Sequence, residues 1–272
     1  MQAFAETTQY PVFERDERDE LDATLEHASL AHAALGGGHD RAAVIGGEGR
    51  ALLVVADGAG GMTGASRASS LVVEVVRELV ARRDRPIGAV GLAQVLERLD
   101  TLLLSNRHAG ASTAVLVEVV GDVFWGASVG DSGAWLVHGG HHLELTARQH
   151  RKSRLGTGYA RPVRFGPLPL CGTLLVATDG LFDCAPPDRL AGKVTDERLE
   201  DVASALVDEV RLPGGGLRDD VGLVLARLSR LPRAFARAGR APRPALATRS
   251  TLAGSREERR TAALGVPRHG RG

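Results

Sequence analysis

The order in which two hydrophobic periods succeed each other limits this fold more than any other feature. Over residues 64–82, Ala68, Leu71, Val72, Val75, Val76, Leu79 and Val80 recur at intervals of three and four, the stripe of an amphipathic helix. A second stripe follows Pro86, with Val95, Leu96, Leu99, Leu102 and Leu103 on one face. Then the period changes to that of strands. Residues 113–120 and 123–129 read as two strands joined at Gly121-Asp122, and 134–138 as a third ending at Gly139-Gly140. Apolar runs at 52–56, 174–178 and 221–228 add buried strands, and 196–212 is a further amphipathic helix carrying Leu199, Val202, Leu206, Val207 and Val210. Two helices followed by consecutive hairpin strands do not alternate as a doubly wound parallel sheet requires. The pattern predicts an α+β fold of antiparallel sheets with helices packed outside.

The two ends differ from this patterned centre. Residues 1–25 are charge-dense and expected to be a solvated extension. From 231 to 272 arginine, alanine, proline and glycine dominate, with few large apolar residues, so this segment is expected to be a disordered basic tail. The folded domain is therefore placed at 26–230. Net charge is only +1, which gives no general attraction to nucleic acid or membrane. No apolar run reaches the ~18 residues of a membrane span. The first 20 residues show neither a basic leader nor an apolar stretch, so a cytoplasmic monomer is expected. Cys171 and Cys184 read as reduced thiols. Trp125 and Trp135 read as strand packing, and His138, His141 and His142 flank a glycine hairpin in a pattern unlike a zinc site.

Chemistry gathers where strands stop. Asp57-Gly58, Asp131 in GDSG, Asp179-Gly180 and Asp219-Asp220 each sit at the end or start of a strand-like run, and Asp40 follows a glycine triplet and His39. Strand ends lie at a sheet's rim, where distant parts of a chain converge. Clustered carboxylates repel one another and are driven toward protonation unless a cation joins them. All-oxygen ligands suit magnesium or manganese rather than zinc. Glycine beside an aspartate leaves the backbone carbonyl open to such an ion.

In LLVVADGAGGMTGASRAS, GASTAVLVEVVGDVFWGASVGDSGAWLV, LLVATDGLFD and GLRDDVGLVLARL, in that order, the chain resembles the metal-dependent serine/threonine phosphatases of the protein phosphatase 2C, or PPM, type. The resemblance covers about residues 26–229 and looks like a short bacterial member. It implies a four-layer α-β-β-α sandwich with two central antiparallel sheets and a metal cluster at one edge. It further implies two divalent cations, Mn2+ or Mg2+, with a third held more loosely. Asp57 would bridge the two ions and Gly58 would offer its carbonyl. Asp179 and Asp219 would complete the first ion's shell, Asp131 would take the looser ion, and Asp40 would act beside Asp57 near the second ion or its water. Thr113 would have a structural part. The implied reaction is hydrolysis of phosphoserine and phosphothreonine in proteins, substrates of a serine/threonine kinase, by a hydroxide held between the ions.

The chain departs from the family's pattern at several positions. Leu35 stands where an arginine usually grips phosphate, His39 replaces an acid or its amide, and Ala59 replaces a histidine proton donor. Gly133 replaces the arginine of GDSR, Asp220 replaces asparagine, and Gly222 replaces threonine. The segment 146–169, which would form the flap over the site, is short. Arg41, His150, Arg151 and Arg154 are the alternative phosphate contacts, with Arg41 assigned to substrate binding. These losses motivate two other readings. One is a catalytically weak domain that binds metal and a phosphoprotein or partner without efficient turnover. The other is a hydrolase of small phosphate esters.

Overall fold

The computed structural model describes residues 23–34, 38–47, 49–59 and 64–230. Most of the expected N-terminal extension, the whole basic tail and Leu35 lie outside the described residues. In chain order the elements are β1 (Ala23–His32), β2 (Arg41–Gly47), β3 (Arg50–Ala56), α1 (Ala65–Ala81), α2 (Gly88–Ser105), β4 (Ala114–Val120) and β5 (Val123–Val129). They continue as β6 (Gly133–His138), β7 (His141–Glu144), β8 (Val163–Pro169), β9 (Thr173–Ala177), α3 (Asp179–Phe182), α4 (Pro187–Lys193), α5 (Leu199–Glu209) and β10 (Val221–Arg230). β1 begins at Ala23. β1 pairs with β10 along its full length, from Ala23 opposite Arg230 to His32 opposite Val221.

Two five-stranded sheets result, with orders β1-β10-β9-β6-β7 and β2-β3-β4-β5-β8, and every pairing is antiparallel. The α+β reading therefore holds, and three apolar layers show why. Leu52, Val54 and Ala56 of β3 face α1 and α2, where they meet Val72, Val76, Leu96 and Leu99. Leu53 and Val55 of the same strand face the other sheet, among Val115, Val117, Leu174, Val176 and Val224. Trp135, Leu175, Leu223 and Leu225 face α4 and α5, against Leu190, Val202 and Leu206. Interior strands are buried on both faces, so their sequences are continuously apolar rather than alternating. Truncating Leu53, which is fully buried, to alanine should cost about 2–5 kcal/mol.

The helices begin where the chain's local chemistry permits. α1 opens at Gly64, whose φ of 85° and close approach to the backbone of His108 and Gly110 leave no space for a Cβ. α2 opens over the carboxylate of Glu118, which accepts the backbone N–H groups of Ile87 and Gly88. An anion at that end satisfies otherwise unpaired amides and complements the helix dipole. The stripe on 64–82 is the inward face of α1, and Val95, Leu96, Leu99 and Leu103 are buried on α2, but Leu102, expected on the same face, is exposed because it lies one residue round the helix from Leu103.

Candidate metal centre

Interior strands that end on the same rim carry their terminal acids to one place. Asp57 directly follows β3, Asp131 lies in the β5–β6 turn, and Asp179 is the first residue of α3 after β9. One carboxylate oxygen from each of these three lies within 4.8 Å of the others. Asp40 stands just before β2 and is nearly buried, at 5% exposure. Burial first, then the neighbouring Asp57 carboxylate, pushes Asp40 up to about 9. Burial, reinforced by the charges of Asp57, Asp131 and Asp219, pushes Asp179 up to about 6. Asp57 is also raised, chiefly by burial.

The cluster is rich in acceptors and poor in donors. Asp40 Oδ2 and Asp131 Oδ1 are buried without a hydrogen-bond partner among the described residues. A buried carboxylate oxygen left unpaired is costly, and a hard divalent cation is the ligand that oxygen-only donor sets favour. The residues present therefore fit such an ion. Asp57, Asp131 and Asp179 could hold it directly. Asp219 is more exposed and lies outside that closest group, though its charge is felt at both Asp57 and Asp179. Its Oδ1 accepts the backbone N–H of Asp220 at 2.8 Å.

Backbone and hydroxyl contacts hold Asp57 in register. Thr113 N–H donates to the Asp57 carbonyl at 2.8 Å, and Ser112 Oγ donates to the same oxygen at 2.7 Å. Thr113 Oγ1 accepts the Asp57 N–H at 3.3 Å and lies 2.6 Å from Ser132 Oγ, so its part is structural. Gly58 has a second reason to be glycine besides an open carbonyl. A Cβ there would come within 2.4 Å of the Ala65 carbonyl oxygen at the start of α1. Gly180 is likewise pressed against Asp220, whose carbonyl oxygen would lie 1.9 Å from an added Cβ.

Two residues matter more than their sequence context suggested. Asp220 accepts the backbone N–H of Ala34 at 2.7 Å and of His39, the residue before Asp40, at 2.6 Å. Only the unusual Asp-Asp doublet marked it in the sequence. Ser112 couples Asp57 to the 146–163 connection, since it exchanges two backbone hydrogen bonds with Leu155, at 3.1 and 2.8 Å. No spacing rule pointed there.

The structure gives three of the four candidate phosphate contacts partners within the fold. Arg41, expected to bind substrate, donates to the carbonyls of Gly38 and Asp40 and to Ser66 Oγ and Ser70 Oγ, at 2.8–3.1 Å. Its guanidinium fastens the Asp40 turn to α1. Arg151 Nη2 donates to both oxygens of Asp183 at 2.8 Å. Arg154 reaches Asp131, with Nη2 at 3.7 Å from Oδ2. His150 is exposed. Gly133 also has a structural explanation, whereas a Cβ at Gly222 would make only ordinary contact. A Cβ on Gly133 would sit 2.8 Å from the Phe182 ring, and one on Gly222 would sit 3.4 Å from Asp40 Cβ. Phe182 in turn lies against Trp135, centroids 4.4 Å apart, and His142 stacks on the same indole at 4.2 Å.

Solved structures share this architecture. A serine/threonine phosphatase from S. agalactiae superposes with a TM-score of 0.65 at 20% identity, covering 75% of this chain and all of that one. The phosphatase Stp1 from Staphylococcus aureus gives 0.65 at 18%, covering 79% of this chain and 100% of its own. The catalytic domain of the serine/threonine phosphatase PstP, in complex with two manganese ions, gives 0.63 at 20%, covering 76% and 99%. At such identities the likeness establishes the fold, which is that of the protein phosphatase 2C type. No curated protein sequence matches significantly. Residues 47–229, well over half of the chain, match the family model of stage II sporulation protein E (SpoIIE). The chain therefore belongs to the SpoIIE-type family of protein phosphatase 2C-like domains.

Proposed function

We propose that this protein is a metal-dependent phosphatase that hydrolyses phosphoserine and phosphothreonine in proteins phosphorylated by a serine/threonine kinase. One observation carries the reading: half-buried carboxylates from separate strand ends converge, and beside them Asp40 Oδ2 and Asp131 Oδ1 are buried with no hydrogen-bond partner among the described residues. In this reading Asp57, Asp179 and Asp219, with the Gly58 carbonyl, hold two divalent cations, Mn2+ or Mg2+. Bound there, the ions would make water acidic enough to attack at neutral pH and would neutralise the phosphoryl oxygens. Asp57 is held in place by Ser112 and Thr113, so its carboxylate keeps a fixed aim. Asp40, held by the Arg41 and Asp220 contacts, orients the attacking water through its unpartnered Oδ2. Arg41 is then a positioning residue for Asp40.

A second reading has its own observation. Arg41, Arg151 and Arg154 all have partners within the fold, and Ala59 and Gly133 offer no side-chain donor. A domain so arranged would bind metal and a phosphoprotein while turning it over slowly. Phosphate release from a phosphothreonine peptide, titrated with Mn2+, separates the two. The leading reading predicts saturable, metal-dependent turnover that Asp57→Ala and Asp179→Ala abolish, and faster release from peptide than from a small aryl phosphate. Peptide binding with negligible turnover at every metal concentration would favour the binder. Turnover that survives either substitution would overturn the assigned site.

A further inference from the structure

One cation is already built into the acidic cluster. Arg154 Nη2 stands 3.7 Å from Asp131 Oδ2, and its positive charge is felt as far as Asp57. Surface arginines usually wave in solvent, but this one is carried on a segment fixed from both sides. The next residue, Leu155, is fully buried and doubly hydrogen-bonded to the backbone of Ser112. Beyond it, Asp100 of α2 accepts the backbone N–H groups of Gly156, Thr157, Gly158 and Ala160 at 2.7, 2.9, 3.0 and 3.1 Å. Ahead of it, the Gln149 amide donates to the Ser132 carbonyl at 2.8 Å, beside Asp131. A loop anchored by a buried carboxylate and a strand-like bridge delivers its arginine to one spot.

The charges point the same way. Asp57, Asp131, Asp179 and Asp219 act on one another at this rim, with Asp40 and Asp220 to one side and Asp183 to the other. A guanidinium beside Asp131 offsets charge that would otherwise attract another ion to that side of the cluster. The pair also has unused capacity. Arg154 Nε and Asp131 Oδ1 are both buried without partners, so a small shift would convert the single contact into a two-pronged one. Asp40, nearly buried and with its own unpartnered oxygen, independently marks the rest of the cluster as a cation site.

We propose that Arg154 is an internal substitute for a third cation: its guanidinium occupies the Asp131 side of the cluster and limits the site to two divalent ions. The idea deepens the phosphatase reading and rests on it, because it presumes that divalent ions bind at Asp57 and Asp179. It replaces the loosely held third ion that the resemblance implied.

Counting bound Mn2+ by equilibrium dialysis of the full chain tests it without reference to activity. Wild type should bind two ions at the rim. Arg154→Ala should gain a third, bound at least about tenfold more weakly, and the double variant Arg154→Ala/Asp131→Asn should lose it again. Thermal melts in the absence of metal establish that each variant folds. Three ions on wild type, or two on both wild type and Arg154→Ala, would overturn the proposal while leaving the phosphatase reading intact. No binding to wild type at millimolar Mn2+ would remove that reading, and this inference with it.

Discussion

Two sets of carboxylates in this molecule meet opposite fates. Glu118, fully buried in β4, accepts hydrogen bonds from Arg50 Nε, Trp125 Nε1 and the backbone amides of Ile87 and Gly88, at 2.7–3.0 Å. Asp100 gathers four backbone amides on the 156–160 loop. Those two serve the fold, and donors surround them. Asp40, Asp57, Asp131 and Asp179 instead face one another, with burial and mutual repulsion raising Asp40, Asp57 and Asp179. A carboxylate that is saturated by N–H groups stabilises the chain by itself. One that faces other carboxylates is stable only when a proton or a cation comes between them. The difference separates scaffold from site without any appeal to sequence likeness.

Breaking the contrast at its functional end should give the largest effect. Asp57→Ala is expected to lower Mn2+-dependent phosphate release by about 10²–10³-fold or more, judged from the removal of single charge-stabilising groups elsewhere. The same change should leave the metal-free melting temperature unchanged or raise it, because it removes a repelling charge; initial rates and calorimetric melts check both halves. Glu118→Ala should do the reverse. It strands a guanidinium, an indole N–H and two helix amides, so a loss of about 3–5 kcal/mol is expected in chemical denaturation. Turnover per folded molecule should change little. If Glu118→Ala folds as well as wild type, the saturated carboxylate is not a structural anchor.

Acidity sharpens the same contrast. A carboxyl whose pKa is higher folded than unfolded binds more protons in the folded state, so its contribution is greatest at low pH and fades as pH rises. Asp179, raised to about 6, and Asp40, raised to about 9, both behave this way. Between pH 5 and 8 the metal-free protein should therefore lose melting temperature, on the order of 5 °C. Saturating Mn2+ should flatten that slope, since the ion replaces the proton. A melting temperature that rises over this interval without metal would contradict the assignment. The smallest effect is expected from Asp100→Asn, which keeps an acceptor for some of the loop amides and should cost about 1 kcal/mol.

How much of this was legible beforehand depended on burial. All six interior strands, β3, β4, β5, β6, β9 and β10, announced themselves as apolar runs because both their faces are covered. The four missed strands, β1, β2, β7 and β8, are the four sheet edges. Sequences such as HHLE and VRFGPLP pair on one side only and leave residues exposed, so they carry no continuous apolar signal. At the site, Asp57, Asp131, Asp179 and Asp219 were visible because each stands beside glycine or another acid at a strand end, and Asp40 because it follows a glycine triplet and His39. The reach of Arg154 to Asp131, the clasp of Asp220 on Ala34 and His39, and the capture of Arg41 by α1 were not. Those contacts join segments far apart in the chain, and only the closed sheets set their spacing.

The central claim is that the unsatisfied rim carboxylates are a cation cage. Crystals grown with Mn2+ and measured at a wavelength where manganese scatters anomalously would test it most directly. Two strong anomalous peaks are predicted within coordination distance of Asp57, one of them also at Asp179, with none between Asp131 and Arg154. No peak at Asp57 under saturating Mn2+, or peaks only on exposed acids elsewhere, would contradict the account.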